Sequence, residues 1–190
     1  MKPTAATNLH EILKETVGSK HSQGLNRDTK GETNFQIARD GTWFYHGSPI
    51  LRKSLVRLFS TILQSGNDGT FWLVTPIERV EVAVEDAPFI AITASKTVTN
   101  RRQSIIFETN VGDIVVAGPN HAIHVLVDRN TQEPRPYIMV RPGLKALITR
   151  SVFYDLVSWA EQERQKDQLI LESDRVRFSL GSLSQESTVL

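Results

Sequence analysis

The fold class follows from two similar stretches of the chain: ILRKSLVRLFSTIL at residues 50–63 and, 98 residues later, ITRSVFYDLVSWAE at residues 148–161. In both copies apolar residues recur at every third or fourth position, which predicts an amphipathic helix. When the chain is shifted by 98 residues, Leu55 aligns with Phe153, so we expect the apolar face of the first helix to recur in the second. The same shift aligns four identities: Ile50 with Ile148, Arg52 with Arg150, Leu58 with Leu156, and Ser60 with Ser158.

The segments on either side of the first copy have the composition of strands. Asp40-Gly41 stands between strand-like runs at residues 37–39 and 42–45, and this dipeptide predicts a hairpin in which both turn residues have positive φ. Beyond the helix, residues 71–74 form an apolar strand, and the shift of 98 aligns FWL at 71–73 with LIL at 169–171. The sequence therefore predicts a duplicated β–β–α–β unit.

Further strands are expected between and after the two copies. Residues 80–85 alternate valine with Glu or Ala, a period of two that is typical of a strand. Residues 96–103, which include Arg101-Arg102, are expected to form a solvated loop because of their charge pattern. The remaining expected strands are residues 89–92, 104–108, 114–116, 123–127, 137–140, 169–171 and 176–180.

We therefore expect an α+β fold with antiparallel sheets and one helix from each copy of the repeat. Residues 1–24 are expected to be an N-terminal arm, in which Asn8 caps a short amphipathic helix and residues 18–24 are a linker. Residues 25–77 are expected to form an N-terminal α+β subdomain. Residues 78–190 are expected to form a C-terminal subdomain with a flexible tail from residue 181.

The composition excludes several classes of protein. The net charge of +1, from 22 Lys+Arg and 21 Asp+Glu, lacks the basic excess of a dedicated nucleic-acid binder. Without cysteine there is no disulfide, no cysteine–zinc site and no thiol nucleophile. The apolar runs are too short to span a bilayer, and residues 1–6 lack the apolar segment of a secretory signal. We expect a cytoplasmic protein that binds neither nucleic acid nor membrane.

Eight segments between residues 35 and 160 carry a family resemblance: IARDGTWFY (37–45), PILR (49–52), LVRLF (55–59), VTPIE (74–78), VEDAPF (84–89), TNVGD (109–113), GLKALI (143–148) and VFYDLV (152–157). In this order they resemble a bacterial family known as domain of unknown function 1285. The chain departs from the family at LNRD (25–28), where members often carry a Pro-rich, Cys-containing segment. The resemblance implies a duplicated core whose C-terminal half is superficially like a pleckstrin-homology barrel. It also implies a site for a nucleotide-like ligand between the halves, and no established reaction.

Arg52 and Arg150 are the most informative candidate site residues, because each stands at the expected start of a helix. The positive end of a helix dipole disfavours a cation by about 0.3–1 kcal/mol, so an Arg there indicates an anionic partner. That partner is either an internal carboxylate, such as Asp86 or Asp113, or a phosphate held by the guanidinium and free backbone N–H groups. The sequence leaves both alternatives open.

The other candidates are groups at turns and strand ends. Asp86 at a hairpin turn either forms the turn or accepts a hydrogen bond from an Arg or a ligand hydroxyl. The TNVGD segment (109–113) offers a hydroxyl, an amide and a carboxylate, which turn chemistry also explains. His121 follows the turn at residues 118–120 and is a candidate hydrogen-bonding group at a pocket mouth. Tyr154 is either a core or interface aromatic or a surface on which a base stacks.

The sequence contains no Gly-rich phosphate loop, no Gly-x-Ser-x-Gly and no His-Glu-x-x-His. His121 and His124 face opposite sides of an extended chain, so no shared metal is expected. We expect a non-enzymatic regulatory or signalling protein that binds a nucleotide-like anionic small molecule between its halves. The alternatives are a hydrolase or transferase acting on a phosphorylated metabolite, and a module that binds a protein partner. The expected ligand-binding residues are Arg52, Asp86, Thr109, Asn110, Asp113, His121, Arg150 and Tyr154.

Overall fold

Two helices and fifteen strands make up the part of the chain that this computed structural model describes, which is residues 34–100, 102–163 and 167–182. The chain divides into two units, Met1–Glu85 and Asp86–Leu190. These elements confirm the expected α+β class. Neither of the two described helices has the length and apolar character needed to cross a membrane. The expected arm at residues 1–24 and the tail beyond Ser182 lie outside the described residues.

The first unit is one six-stranded sheet with one helix. The strands lie in the order β3-β2-β1-β6-β5-β4, and every pairing is antiparallel except that of β1 with β6. Its elements are β1 (Phe35–Ile37), β2 (Trp43–Tyr45), β3 (Ser48–Pro49), α1 (Lys53–Ile62), β4 (Leu63–Ser65), β5 (Phe71–Val74) and β6 (Arg79–Val84).

The Asp40-Gly41 hairpin forms as expected, but through a three-residue loop. The Gly41 N–H donates to the Ala38 carbonyl, and the Ala38 N–H donates to the Thr42 carbonyl, both at 2.9 Å. Gly41 has a φ of 81°, whereas Asp40 is outside the positive-φ region and accepts a 2.9 Å hydrogen bond from the Thr42 N–H. A type I turn followed by one left-handed glycine joins two strands in this way, so only one of the two turn residues needs positive φ.

The core of the first unit forms where α1 covers the sheet. Leu55 and Phe59, one helical turn apart, are 4% and 0% exposed. The Phe59 ring contacts Phe35 edge-on at 5.4 Å and stacks on Trp43 at 6.3 Å between ring centroids. Burying a side chain of this size stabilises the fold by about 1.5–3 kcal/mol, so the apolar stripe of α1 determines where the helix lies on the sheet.

The second unit contains a six-stranded sheet, a three-stranded sheet and one helix. The larger sheet has the order β10-β11-β12-β7-β8-β9, with β12 and β7 parallel, and the smaller sheet has the order β13-β14-β15. The elements are β7 (Phe89–Thr99), β8 (Arg102–Thr109), β9 (Ile114–Val116), β10 (Ile123–Val127), β11 (Pro134–Arg141), β12 (Leu144–Ile148), α2 (Arg150–Trp159), β13 (Glu161–Glu163), β14 (Gln168–Ser173) and β15 (Val176–Ser182).

The first unit ends with β6, which pairs with β1 and β5, and its division at 85/86 lies eight residues after the boundary expected at 77/78. Two sequence-based expectations differ from these elements. The expected solvated loop at residues 96–103 is instead the end of the long β7–β8 hairpin, in which Lys96 pairs with Ile105. Within the described residues, β9 and β10 are the two edge strands and do not pair with each other, so the larger sheet is not a closed barrel.

The strands after the two helices correspond closely. Leu73 pairs with Val80 between β5 and β6, and Leu171 pairs with Phe178 between β14 and β15. Each residue of the second pair lies 98 positions after its counterpart in the first pair. Leu73 and Leu171 are both 0% exposed. The order helix, short strand, strand, strand therefore recurs in the two units with the same cross-strand register at these positions.

The helices themselves correspond with a shift of 97. The Arg52 carbonyl accepts from the Val56 N–H, and the Thr149 carbonyl accepts from the Phe153 N–H, so Arg52 and Thr149 are the two N-cap residues. The buried Phe59 then corresponds to Leu156 and not to the half-buried residue 157. Arg52 and Arg150 both lie at the start of a helix, as expected, but Arg52 is the N-cap residue of α1 whereas Arg150 is the first residue of α2.

Candidate functional site

The eight candidate residues divide unequally between the two units, since Arg52 lies in the first and the other seven lie in the second. Arg52 is the exposed N-cap residue of α1 and makes no side-chain capping hydrogen bond. The first turn of α1 contains no acidic residue. Among the described residues, no ion pair involves Arg52, so its guanidinium is open to solvent.

Asp86 is engaged inside the second unit. Its side chain is 5% exposed, and its carboxylate accepts hydrogen bonds from Arg135 Nη2 at 2.6 Å and from the Tyr137 hydroxyl at 2.7 Å. The hydrogen bond from Arg135 and the charge of Asp86 raise the pKa of Arg135 above its ordinary value. Asp86 thus has an internal cationic partner, which is Arg135 and neither Arg52 nor Arg150.

The Thr109–Asp113 segment forms a tight turn between β8 and β9. The Thr109 hydroxyl oxygen accepts from the Asp113 N–H at 3.0 Å, and the Thr109 N–H donates to the Asp113 carbonyl at 2.9 Å. Gly112 supplies the positive φ of 85° that the turn needs. The Asp113 carboxylate accepts two hydrogen bonds from Arg141 Nη2, at 2.9 and 2.7 Å. Asp113, like Asp86, therefore pairs with a β11 arginine.

Asn110 and His121 make hydrogen bonds that join the turn regions to neighbouring strands. The Ile90 N–H donates to Asn110 Oδ1 at 3.0 Å, and the Asn110 N–H donates to the Ile90 carbonyl at 2.8 Å. His121 Nδ1 lies 2.9 Å from the Met139 carbonyl oxygen, which requires the proton on Nδ1 because a carbonyl only accepts. These contacts give both residues a structural role at the positions where a ligand role was expected.

The residues that partner the two carboxylates are not among the eight sequence-predicted candidates. Arg135 and Tyr137 are two positions apart on β11, so their side chains point to the same face of the strand. Arg141 reaches Asp113 beyond a register shift between Met139 and Arg141. The alternation of Arg and Tyr along β11 was a usable signal, because polar groups at a period of two mark one face of a strand.

Arg150 and Tyr154 are the exposed members of the set. Arg150 is the first residue of α2 and its side chain is 76% exposed; its closest carboxylate, on the 65% exposed Glu133, is 3.8 Å away. Tyr154 follows one helical turn later and is 60% exposed, so of its expected roles the structure excludes the core aromatic and leaves the interface aromatic and the base-stacking surface. Residues four apart lie on one face of a helix, so Arg150 and Tyr154 lie on the same exposed face of α2.

The start of α2 suits an anion better than a cation. Its N-cap Thr149 makes no side-chain capping hydrogen bond, and its first turn contains no acidic residue. No side chain therefore caps the N–H groups of this first turn, and the positive end of the helix dipole lies next to Arg150. An anionic group of a ligand would meet both of these and the guanidinium, while a planar ring would meet Tyr154.

Comparison with known proteins identifies the family. The model of the N-terminal domain of the domain-of-unknown-function family DUF1285 matches residues 24–87, and the model of its C-terminal domain matches residues 88–180. The chain belongs to the DUF1285 family. The family boundary at residues 87/88 lies two residues from the division between the two units at 85/86.

Two crystal structures of DUF1285 family proteins are similar to this chain. The protein from Silicibacter pomeroyi DSS-3 is 40% identical, with a TM-score of 0.76 over 94% of this chain and 97% of that one. The protein from Shewanella baltica OS155 is 25% identical, with a TM-score of 0.53 over 66% of this chain and 91% of that one. A search of curated proteins found no match.

Proposed function

We propose that this DUF1285 protein is a non-enzymatic regulatory protein of the cytoplasm that binds a nucleotide-like anionic small molecule at the start of α2. The observation that carries the proposal is the exposed pair formed by Arg150 and Tyr154, which are 76% and 60% exposed. Asp86 and Asp113 have internal arginine partners, which leaves Arg150 with one weak, solvent-exposed contact to Glu133. An exposed pair of this kind contributes about 0–1 kcal/mol, so a ligand phosphate displaces it at little cost.

The two side chains divide the recognition between them. Arg150 and the N–H groups of the first turn offer donors to a phosphate, and Tyr154 offers a ring face to a base. Inorganic phosphate therefore tests Arg150 alone, and adenosine tests Tyr154 alone. AMP or ADP tests both.

Thermal unfolding with these probes tests the proposal, because binding to the folded state raises Tm by mass action. We expect ADP and AMP to raise the Tm of the wild type, and to raise the Tm of Arg150→Ala by no more than adenosine does. Tyr154→Ala is expected to lose the response to adenosine and keep the response to phosphate. The matched control is Arg57→Ala, since Arg57 is also an exposed helical arginine but lies on α1. Equal responses of Arg150→Ala and Arg57→Ala would contradict the proposal.

The enzymatic alternative has a separate readout. A hydrolase or transferase acting on a phosphorylated metabolite would release phosphate or a new product from ADP or a sugar phosphate. Unchanged ligand recovered after long incubation with the protein supports the binding function. Turnover that Arg150→Ala abolishes would favour the alternative.

A protein-interaction function is the second candidate, and the edge strand β9 favours it. Ile114 and Val116 lie on one face of β9 and are 70% and 39% exposed. An edge strand offers unpaired backbone groups to which a partner strand can add. Sedimentation velocity of the wild type and Ile114→Lys tests whether a second copy of the chain is that partner: concentration-dependent association that the substitution removes is the expected result.

We also infer that the two units derive from a duplication. The support is the common cross-strand register of Leu73–Val80 and Leu171–Phe178 and the common order of the following strands. The likeness of the C-terminal half to a pleckstrin-homology domain is part of the same proposal, and its support is the family resemblance together with one large sheet and one helix in a single unit.

A further inference from the structure

A cavity of about 500 Å³ lies within the second unit, and none of the eight candidate residues lines it. One wall is the end of the β7–β8 hairpin, another is the outer face of the β13–β14–β15 sheet, and Trp159 at the end of α2 forms the third side. The volume is in the range of about 300–1,000 Å³ that is typical of small-molecule sites. The side chains that determine its chemistry are Lys96, Val98, Trp159, Glu161, Ile170 and Glu172.

Hydrogen bonds fix the two β walls to each other. Gln103 Nε2 donates to the Glu172 carbonyl at 2.6 Å, and the Asp174 N–H donates to the Gln103 carbonyl at 2.9 Å. Leu171 is 0% exposed and points into the core, so its neighbours Ile170 and Glu172 point outward to the cavity. These hydrogen bonds therefore hold the two β walls in place, while the cavity between them is open to solvent.

The cavity has an apolar part and charged groups of both signs. Val98, Ile170 and Trp159 supply the apolar surface. Arg177 is neutralised by Glu163, whose carboxylate is 3.6 Å away. Among the described residues, the remaining charged groups of the lining, which are Lys96, Glu161 and Glu172, take part in no ion pair.

Around this apolar surface, one ammonium and two carboxylates have no ion-pair partner within the described ranges 34–100, 102–163 and 167–182, and such a set matches one kind of ligand. We propose that this cavity binds a zwitterionic small molecule with an apolar body, of the amino-acid or short-peptide class. Lys96 receives the ligand carboxylate, and Glu161 and Glu172 receive its ammonium group. Trp159, Ile170 and Val98 pack on the apolar side chain, and the Trp159 ring also attracts a nearby cation. This site shares no residue with Arg150 and Tyr154, so it stands or fails separately from the nucleotide proposal.

Four related probes separate the contributions. The dipeptide Leu-Leu and free leucine carry both charges, leucinamide lacks the carboxylate, and N-acetylleucine lacks the ammonium. Calorimetric titration is expected to give saturable binding of the dipeptide. Leucinamide and N-acetylleucine are expected to bind with an affinity at least about tenfold lower, because the loss of one charged contact worth ~1.4 kcal/mol lowers the affinity by a factor of ten. The dipeptide is also expected to change the tryptophan fluorescence of the wild type but not that of Trp159→Phe.

Two charge variants test the assignment of the groups. Lys96→Ala is expected to weaken the dipeptide about tenfold and to leave leucinamide unchanged, whereas Glu172→Gln weakens both. The controls Lys53→Ala and Glu108→Gln change exposed charges outside the cavity and are expected to bind like the wild type. No saturable binding at millimolar dipeptide, an equal affinity for leucinamide, or an undiminished affinity in Lys96→Ala would each overturn the proposal.

Discussion

Arg135 and Asp86 form the most buried ion pair among the described residues: the Asp86 side chain is 5% exposed, and its Oδ2 accepts a 2.6 Å hydrogen bond from Arg135 Nη2. The two residues are 49 positions apart, so this pair links the first residue of the second unit to β11. A buried carboxylate is tolerated only when its charge is balanced and its oxygens are hydrogen-bonded, and Tyr137 completes the second requirement.

Removal of the arginine is therefore expected to cost more than an exposed substitution. Arg135→Ala leaves the Asp86 carboxylate buried without its cation, which lowers the free energy of unfolding by about 3 kcal/mol. This value is at the lower end for a broken buried ion pair, because the Arg135 side chain is itself 30% exposed. Urea denaturation measures the change. Arg129→Ala, in an exposed turn, is the control and is expected to stay within about 0.5 kcal/mol of the wild type. A loss of the same size in both variants would refute the role given to the pair.

The Thr109 hydroxyl is expected to stabilise the turn that follows β8. Thr109→Val keeps the shape of this 1% exposed side chain but leaves the Asp113 N–H without its 3.0 Å acceptor. The expected loss is about 1–2 kcal/mol in the free energy of unfolding. Thr97→Val, on the exposed end of β7, is the matched substitution and should be nearly neutral because valine favours strands. A neutral Thr109→Val would show that the turn does not need the hydroxyl.

Ser173 is expected to contribute to the stability of the second unit through two hydrogen bonds. Its hydroxyl accepts from the Ile105 N–H at 2.9 Å and donates to the Ala117 carbonyl at 2.7 Å, and the side chain is 0% exposed. Ser173→Ala leaves both backbone groups buried and unpaired, which we expect to cost about 2–3 kcal/mol. Ser179→Ala, at an exposed position on β15, provides the comparison. Denaturant midpoints that coincide for the two variants would argue against this contribution.

Acid is expected to weaken the turn between β10 and β11 through Asp128. The backbone N–H groups of Thr131 and Asn130 donate to its carboxylate and hold its pKa below the ordinary value of 3.8. Because the folded-state pKa is lowered, the stabilisation is complete above about pH 3.8 and is lost as the pH falls through the folded-state pKa. Asp128→Asn removes the titrating group, so its Tm should fall less than that of the wild type between pH 5 and pH 2. A parallel fall in both proteins would contradict the prediction.

The elements that the sequence predicted correctly are those with a local pattern. Both helices and the strands at residues 71–74, 114–116 and 123–127 lie where their periodicity placed them. The strand at residues 144–148 was missed although its burial alternates along the chain, because it is five residues long and depends on parallel pairing with β7. The end of the β7–β8 hairpin was missed for a related reason, since its polar residues are held by pairing across the strands and not by burial.

The candidate site was only partly accessible to sequence reasoning. Arg52 and Arg150 do stand at helix starts, because an amphipathic stripe fixes the start of a helix to within a residue or two. The sequence did not predict which residues pair with the two carboxylates, because Asp86 and Asp113 bind arginines that lie 49 and 28 residues away in the sequence. No local pattern identifies which of the 22 basic residues reaches a given carboxylate.

The sequence by itself determined that this chain forms two α+β units with one amphipathic helix each, and that a basic residue begins each helix. These features depend on residues within one or two turns of each other, where spacing alone decides which side chains share a face. Only the tertiary structure decided that Arg135 and Arg141 neutralise the carboxylates, that Arg150 and Tyr154 remain exposed, and that Lys96 and Glu172 line one cavity. Those outcomes follow from strand pairing between distant segments, because register and sheet order determine which groups are brought within reach of one another.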